Sequence, residues 1–251
     1  MLDHQTVARL REMRLFGMAQ AFLAQAGDPE INNLSFEERL GLLVDQEWTW
    51  RQDRRLARLL KAAKLRLSAC LEDIDYQVPR GLDRGLMRSL ATGNWIRAHQ
   101  NVIIVGPTGV GKTFIACALA QAACRLGFSA WYYRAPRLMS DLSVARADGS
   151  YASFMNKLAK TQVLVLDDWG ITPLGAPECR DLLEVIDDRA ETRSTIVASQ
   201  LPIEHWHATI SDPTVADAIL DRLVHNSIKI LLKGESMRKA KCNPREADHH
   251  S

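Results

Sequence analysis

Cysteine is scarce in this sequence of 251 residues, and its few copies are scattered. The chain contains no C-x-x-C pair, and its number of cysteines is odd. A zinc site or a disulfide framework is therefore disfavoured, and the cysteines are expected to pack in the core or to be inert surface thiols. They are Cys70, Cys117, Cys124, Cys179 and Cys242.

Long apolar runs are also missing, and so is the pattern of a secretion signal. No apolar stretch is long enough to cross a bilayer. The segment 1–5 does not open a basic region followed by an apolar one, as a signal peptide does. With unpaired cysteines, these absences predict a protein of the reducing cytoplasm and no membrane partner.

An excess of charge of either sign is missing as well. The formal net charge is only +2, so any function that needs positive charge must come from local clusters of basic residues. Apolar residues make up 47% of the chain and charged residues 25%, which is ordinary for a globular protein. The length allows one large domain, or a medium domain with a small one.

Against these absences, one glycine-rich segment stands out. Residues 106–113 read GPTGVGKT, with the spacing G-x-x-x-x-G-K-[ST] of a phosphate-binding P-loop. Its glycines let backbone N–H groups turn toward an anion, and the following helix adds partial positive charge. Lys112 is expected to reach the β- and γ-phosphates of ATP, and the Thr113 hydroxyl to ligate Mg²⁺. The expected nucleotide contacts are Gly106, Pro107, Thr108, Gly109, Val110, Gly111, Lys112, Thr113 and Phe114.

A second motif completes the nucleotide site. The apolar run 163–166 ends in Asp167 and Asp168, which is the pattern of a Walker B strand. Asp167 is expected to hold Mg²⁺ directly or through water. Asp168 is expected to orient or deprotonate the attacking water. An acid beside the magnesium acid predicts hydrolysis of ATP rather than binding alone.

Strand-like and helical patterns alternate around these motifs. Repeated alternation of this kind predicts a parallel sheet of five strands that is covered on both faces. The predicted strands are 102–105, 129–133, 163–166, 195–199 and 227–232. The predicted helices begin with 114–120 and continue with 136–160, broken near 148–149, then 177–192 and 215–226.

The N-terminal part is predicted to be helical. An amphipathic pattern predicts one helix over 2–26, and a capping box of Ser35 and Glu38 starts a second helix that extends to about residue 68. Between 51 and 66 seven cations face one acid. A solvated helix face and a phosphate-contacting surface both remain open for this run. The cations that share a face are Arg51, Arg54, Arg55, Arg58 and Lys61.

From the P-loop to Arg238, the chain resembles AAA+ ATPases of the DnaC/IstB clade. Within that clade it is more similar to IstB-like ATP-binding proteins, which assist transposition of insertion sequences. Besides the P-loop, the motifs that carry the resemblance are 164–170, 195–200, 218–225 and 234–238. The N-terminal helices, with Glu47, Arg51, Arg55 and 59–64, resemble the recruitment domain of the family.

The resemblance implies an α/β AAA+ P-loop fold with a five-stranded parallel sheet, preceded by a small all-helical domain. The implied division is a helical recruitment and DNA-contact domain over 1–68, a junction over 69–100, an ATPase domain over 101–240 and a flexible tail over 241–251. It also implies roles for three residues. Gln200 matches sensor 1, where the usual residue is Asn. Arg222 resembles the arginine finger that enters the ATP site of a neighbouring subunit, and Arg238 resembles sensor 2.

The implied activity is ATP-dependent homo-oligomerisation on duplex DNA, which the oligomer deforms while it recruits or stimulates a transposase. Asp168 stands where Glu is more frequent, which implies slow hydrolysis and an assembly switch. DNA binding is expected to depend little on sequence and strongly on salt. Further candidate contacts, for each of which solvated surface is the competing interpretation, are Arg134, Arg137, Arg146, Lys157 and Lys160.

Two other functions share the P-loop. A replicative helicase loader of the DnaC type has the same ATP-site motifs, and its partners are a protein ring and single-stranded DNA. The basic run at 51–66 mildly favours the transposition helper. A small-molecule kinase is disfavoured, because no arginine-rich lid is evident and Asp168 beside Asp167 suits activation of water.

Overall fold

The computed structural model describes residues 2–237. Arg238, the expected sensor 2, lies outside the described residues, as do Cys242 and the predicted tail at 241–251. The chain divides into two compact units after Arg58, whereas the domain boundary predicted from sequence lies at residue 68. The N-terminal unit is helical, and the second unit is a mixed α/β domain.

The first predicted helix is two helices, α1 (Leu2–Glu12) and α2 (Phe16–Ala26). Arg14 between them has a left-handed backbone, with φ of 60°. This turn folds the apolar faces of the two helices against each other, since Val7, Leu10 and Ala19 are buried in one cluster. The prediction of a single helix over 2–26 is wrong because the apolar pattern of two short antiparallel helices was interpreted as one stripe.

The predicted capping box is present at the start of α3 (Phe36–Ala63). The Ser35 N–H donates to Glu38 Oε2 at 2.7 Å, and the Glu38 N–H donates to Ser35 Oγ at 3.2 Å. The helix ends at Ala63, earlier than predicted, because Lys64 adopts a left-handed backbone with φ of 50°. Residues 64–68 are therefore a connector rather than helix.

The second unit alternates strands and helices as predicted. After α4 (Arg84–Ala91) and α5 (Asn94–Arg97) come β1 (Asn101–Val105), α6 (Lys112–Arg125), β2 (Ala130–Arg134), α7 (Ala135–Asp148), α8 (Tyr151–Lys160), β3 (Val163–Trp169), α9 (Ala176–Arg189), β4 (Ser194–Ser199), α10 (Pro213–Val224) and β5 (Ser227–Leu231). The break near 148–149 lies at Gly149, whose φ is 79°.

The five strands form one parallel sheet in the order β2-β3-β4-β1-β5, which confirms the predicted sheet. Strands β1 and β4 are buried along their whole length, as expected of parallel strands covered on both faces. Because β4 lies between β1 and β3, the ends of the P-loop strand and the Walker B strand flank the end of β4.

Three of the predicted core cysteines are buried, namely Cys117, Cys124 and Cys179. Burial raises the pKa of the Cys124 thiol to about 11, so this thiol is protonated and unreactive at neutral pH. Among residues 2–237, no group of three or more His, Cys, Asp or Glu side chains is arranged to hold a metal ion.

A buried arginine forms hydrogen bonds with backbone carbonyls near the amino ends of two central strands. Arg189 is 2% exposed, and its guanidinium donates to the carbonyls of Leu158, Thr161 and Ser194 at 2.5, 2.7 and 2.6 Å. Burial lowers its pKa to about 9, and the cation remains charged at neutral pH. It thereby satisfies the backbone acceptors at the starts of β3 and β4.

Replacing Arg189 with Met leaves these buried carbonyls without donors. We expect Arg189→Met to lower the free energy of unfolding by roughly 2–5 kcal/mol, as measured by urea denaturation. Arg125→Met is the matched control, since Arg125 forms an exposed ion pair with Glu72 and should contribute less than about 1 kcal/mol. Equal losses for both variants would contradict the anchoring role of Arg189.

Candidate functional site

The P-loop has the backbone that its sequence predicts. It follows β1, and Gly109 and Gly111 have φ of 86° and 99°, which a residue with a Cβ adopts only with strain. Helix α6 begins at Lys112, so its N-terminus faces the loop. The Lys112 ammonium donates to the carbonyls of Gly106 and Pro107, both at 2.7 Å, and is 8% exposed.

The two expected magnesium ligands are in contact. Thr113 Oγ1 donates to Asp167 Oδ2 at 2.8 Å, and Asp167 is 1% exposed. Neighbouring oxygen ligands of an octahedral Mg²⁺ lie about 3.0 Å apart, given metal–oxygen distances of about 2.1 Å. The hydroxyl and the carboxylate therefore fit Mg²⁺ in both type and spacing.

Asp168 occupies a bulge in the Walker B strand. Its φ is 59°, and the pairing of β3 with β4 shifts register between Leu166 and Trp169. The Asp168 carboxylate accepts from Arg134 Nε at 2.5 Å and lies 3.8 Å from Arg66 Nη1. The bulge turns Asp168 into the nucleotide cavity, where two guanidinium groups compensate its charge.

Gln200, the residue matched to sensor 1, follows the central strand β4. Its Oε1 accepts a hydrogen bond from Thr108 Oγ1 of the P-loop at 2.7 Å. The Gln200 side chain therefore lies beside the phosphate-binding loop, at the carboxyl ends of the strands.

These side chains line one cavity of about 540 Å³. Its volume is within the usual range for small-ligand sites, about 300–1,000 Å³. The predicted residues in its wall are Thr108, Gly109, Gly111, Lys112, Thr113, Phe114, Asp167, Asp168 and Gln200. Residues in its wall that sequence reasoning did not place there are Arg66, Leu67, Asp73, Asp75, Arg80, Arg134, Ile171, Ala198 and Met237.

Arg80 joins three segments around the P-loop. It is 3% exposed, and its guanidinium donates to the carbonyls of Val110 and Asp75 at 3.0 and 2.9 Å and lies 2.8 Å from Met237 Sδ. The Met237 N–H donates to Gly109 O at 3.0 Å, so the segment before Arg238 rests on the loop. No motif marks Arg80, because its partners are mostly backbone atoms distant in sequence.

Arg222 lies far from the nucleotide cavity of its own chain. It is in the last turn of α10, where Asn101 Nδ2 donates to its carbonyl at 3.1 Å. Asn101 opens β1, and a strand of five residues spans about 16 Å before the P-loop begins. The Arg222 side chain pairs with Asp187 of α9. Arg222 thus lies near the amino ends of the strands, whereas Lys112 lies at their carboxyl ends.

Several candidate DNA contacts already have intramolecular partners. In α3, Arg51 pairs with Glu47 at 2.6 Å, and Arg54 lies 4.8 Å over the Trp50 ring. Arg134, another expected DNA contact, lines the nucleotide cavity.

Further candidates lie on α7 and α8. Arg137 pairs with Asp141 at 2.9 Å, and Arg146 pairs with Asp181. Lys157 and Lys160 are exposed on α8, with Lys157 Nζ 3.8 Å from the Trp131 ring.

In the described range 2–237, no helix combines the length and the apolar character that a membrane span requires. The sheet and the P-loop together define a protein with the AAA+ P-loop fold. A family model described as IstB-like ATP binding protein matches residues 8–244, and the chain belongs to this family.

One relative supports the family assignment, and two solved structures share the fold. An insertion sequence ATP-binding protein of Sinorhizobium fredii, y4pL, is 52% identical over 239 residues, which are 95% of this chain and 98% of that protein. The crystal structure of DnaI has a TM-score of 0.57 at 19% identity and covers 70% of this chain and 93% of its own. The DnaC helicase loader has a TM-score of 0.53 at 20% identity, with coverage of 67% and 99%. The two structures show the shared fold.

The contact between Arg134 and Asp168 yields a prediction. Because the guanidinium occupies Asp168 Oδ2, Arg134→Ala is expected to free this carboxylate to activate water and to raise basal ATP hydrolysis severalfold. Its affinity for duplex DNA should be unchanged. Phosphate release and DNA binding by fluorescence anisotropy provide the measurements.

Arg88→Ala is the matched control, since Arg88 is exposed and outside the nucleotide cavity. It should leave hydrolysis unchanged. If Arg134→Ala weakens DNA binding and does not affect hydrolysis, Arg134 is a DNA contact as the sequence predicted.

Proposed function

We propose that this protein is an ATP-dependent AAA+ regulator of transposition that oligomerises on duplex DNA, deforms it and recruits or stimulates a transposase. The supporting observation is the separation, within one chain, of the nucleotide cavity around Lys112 from Arg222 near the amino ends of the strands. In a head-to-tail assembly, the second copy supplies the arginine that the first cannot bring to its own site. The insertion sequence relative supports the transposition role.

The chain's own residues account for the proposed hydrolysis. The P-loop amides and Lys112 bind the phosphates, while Thr113 and Asp167 would hold Mg²⁺, which would supply positive charge to neutralise the phosphates. Asp168 orients the attacking water, and Gln200 lies beside the loop to contact the γ-phosphate. Because Arg134 holds the Asp168 carboxylate, turnover is slow and ATP acts mainly as an assembly switch.

The sources of the proposed DNA affinity are basic residues on helical surfaces. Arg54, Arg55 and Arg58 lie on the α3 face that also carries Arg51 and Lys61, since spacings of three and four residues repeat on one side of a helix. Exposed Lys157 and Lys160 add positive charge on α8. Contacts of this kind are mostly to phosphates, and many of them offset the bending of DNA, which costs on the order of several kcal/mol.

A mixing experiment tests whether two copies share one nucleotide site. Lys112→Ala is expected to abolish ATP binding, and Arg222→Ala to bind ATP but not to assemble or hydrolyse efficiently. An equimolar mixture should recover ATP hydrolysis, because an Arg222→Ala copy supplies Lys112 and its Lys112→Ala neighbour supplies Arg222. About a quarter of the sites are complete after random mixing, since each half-site is intact in half of the copies.

The readouts are phosphate release and mass photometry with duplex DNA. Separate assays of the two variants at the same total concentration serve as controls. Hydrolysis at the wild-type rate by isolated Arg222→Ala protomers, or no recovery on mixing, would contradict the shared site. Stable binding to a helicase ring with a preference for single-stranded DNA would instead identify a helicase loader.

The salt dependence of DNA binding tests the basic face of α3. Combined replacement of Arg54, Arg55 and Arg58 with Ala should reduce the slope of log K against log salt by about 2–3, because each lost phosphate contact removes about 0.9. Anisotropy titrations with duplex DNA at a series of salt concentrations measure this slope.

A triple replacement of exposed arginines elsewhere provides the charge-matched control: Arg9, Arg11 and Arg88 to Ala. This control variant loses the same net charge as the α3 variant. If the α3 face contacts DNA directly, the slope of the control variant should change much less. Equal changes in both triple variants would show that only net charge matters, and no change in the first would make the α3 face solvated surface.

A further inference from the structure

Arg66 enters the nucleotide cavity from the connector that follows α3. It lies three residues after Ala63, the last residue of the helix, and belongs to the second unit. Sequence reasoning placed it near the basic face of α3. The structure instead places Arg66 in the cavity wall beside Lys112 and Thr113.

The Arg66 guanidinium faces both Walker B acids. Its Nη1 lies 3.9 Å from Asp167 Oδ2 and 3.8 Å from Asp168 Oδ2. The side chain is 44% exposed, whereas those of the acids are 2% and 18% exposed. At these distances charge attraction holds the guanidinium without a direct hydrogen bond to either acid.

Asp167, the expected magnesium ligand, accepts two hydrogen bonds at one carboxylate oxygen. Asp167 Oδ2 accepts from Thr113 Oγ1 at 2.8 Å and from the Tyr132 hydroxyl at 2.7 Å. The Arg66 guanidinium also lies against the Tyr132 hydroxyl. Because an arginine side chain stays protonated throughout the physiological pH range, it is a permanent cation in the cavity.

Mg²⁺ at Thr113 and Asp167 would repel this cation and would neutralise the carboxylate that attracts it. The strongest anion then available in the cavity is the terminal phosphate that the P-loop and Lys112 bind. A guanidinium matches phosphate oxygens with two parallel donors. Arg66 can thus exchange a carboxylate partner for a phosphate partner within the same cavity.

We propose that Arg66 contacts the γ-phosphate of ATP bound to its own chain and so distinguishes ATP from ADP. This inference rests on the proposed binding of Mg-ATP. With ADP bound, no γ-phosphate is present and Arg66 stays with Asp167 and Asp168. The connector after α3 thereby carries a residue that responds to the triphosphate.

The test is equilibrium binding of fluorescent ADP and of a fluorescent non-hydrolysable ATP analogue, both with Mg²⁺ and without DNA. We expect Arg66→Ala to weaken binding of the ATP analogue at least about tenfold, as for loss of a hydrogen bond to a charged group, and to leave ADP affinity unchanged. Arg66→Lys should retain part of the preference for the ATP analogue. Arg88→Ala removes an exposed arginine outside the cavity and should change neither affinity.

The alternatives give different outcomes. Stronger binding of both nucleotides by Arg66→Ala would mean that Arg66 only competes with Mg²⁺, and an equal loss of both would mean a structural role. Either result, or no change, overturns the inference. Arg66→Gln provides a second neutral variant if Arg66→Ala does not fold. Failure of the proposed ATP site appears separately, as wild-type protein that binds neither nucleotide or as Lys112→Ala that binds both normally.

Discussion

The hydrogen bond from Thr113 to Asp167 is the contact on which the candidate site depends. It joins the first turn of α6 to the end of β3, although 54 positions separate the two residues. The parallel sheet makes the contact possible, because the carboxyl ends of all its strands meet at one edge. The apolar residues of β1, β3 and β4 are buried and hold these strand ends in place. The packing of the strands therefore determines the distance between Thr113 and Asp167.

Arginine compensates much of the negative charge that the fold concentrates there. Arg66 and Arg134 approach the carboxylates from the connector after α3 and from the end of β2. Arg80 fastens the loop itself through the Val110 carbonyl. Two unpaired aspartates this close together would repel each other, and the neighbouring guanidinium groups reduce that repulsion.

The sequence was sufficient for the order of elements and for the nucleotide-binding motifs. Local rules act there: the glycines of the P-loop, the apolar strands and the capping box at Ser35 each depend on neighbours in the chain. It was not sufficient where tertiary contacts decide. Arg66 was assigned to the basic run after residue 51 and Arg134 to the candidate DNA contacts, and the structure places both in the wall of the cavity. Their partners Asp167 and Asp168 are distant in sequence, where no periodicity carries the information.

The positions of the arginines also explain why hydrolysis is proposed to be slow in an isolated chain. Asp168 has a bulged, left-handed backbone that aims its carboxylate into the cavity, yet the same carboxylate is engaged by Arg134. Arg222 is proposed to stabilise the charge of the transferring phosphate. It lies near the amino end of β1, away from the nucleotide cavity of its own chain. An isolated protomer therefore has the acid proposed to activate water restrained and lacks the arginine proposed to act in trans. The proposed assembly would change the second condition directly, and would so link the proposed hydrolysis to the contact between copies rather than to ATP binding alone.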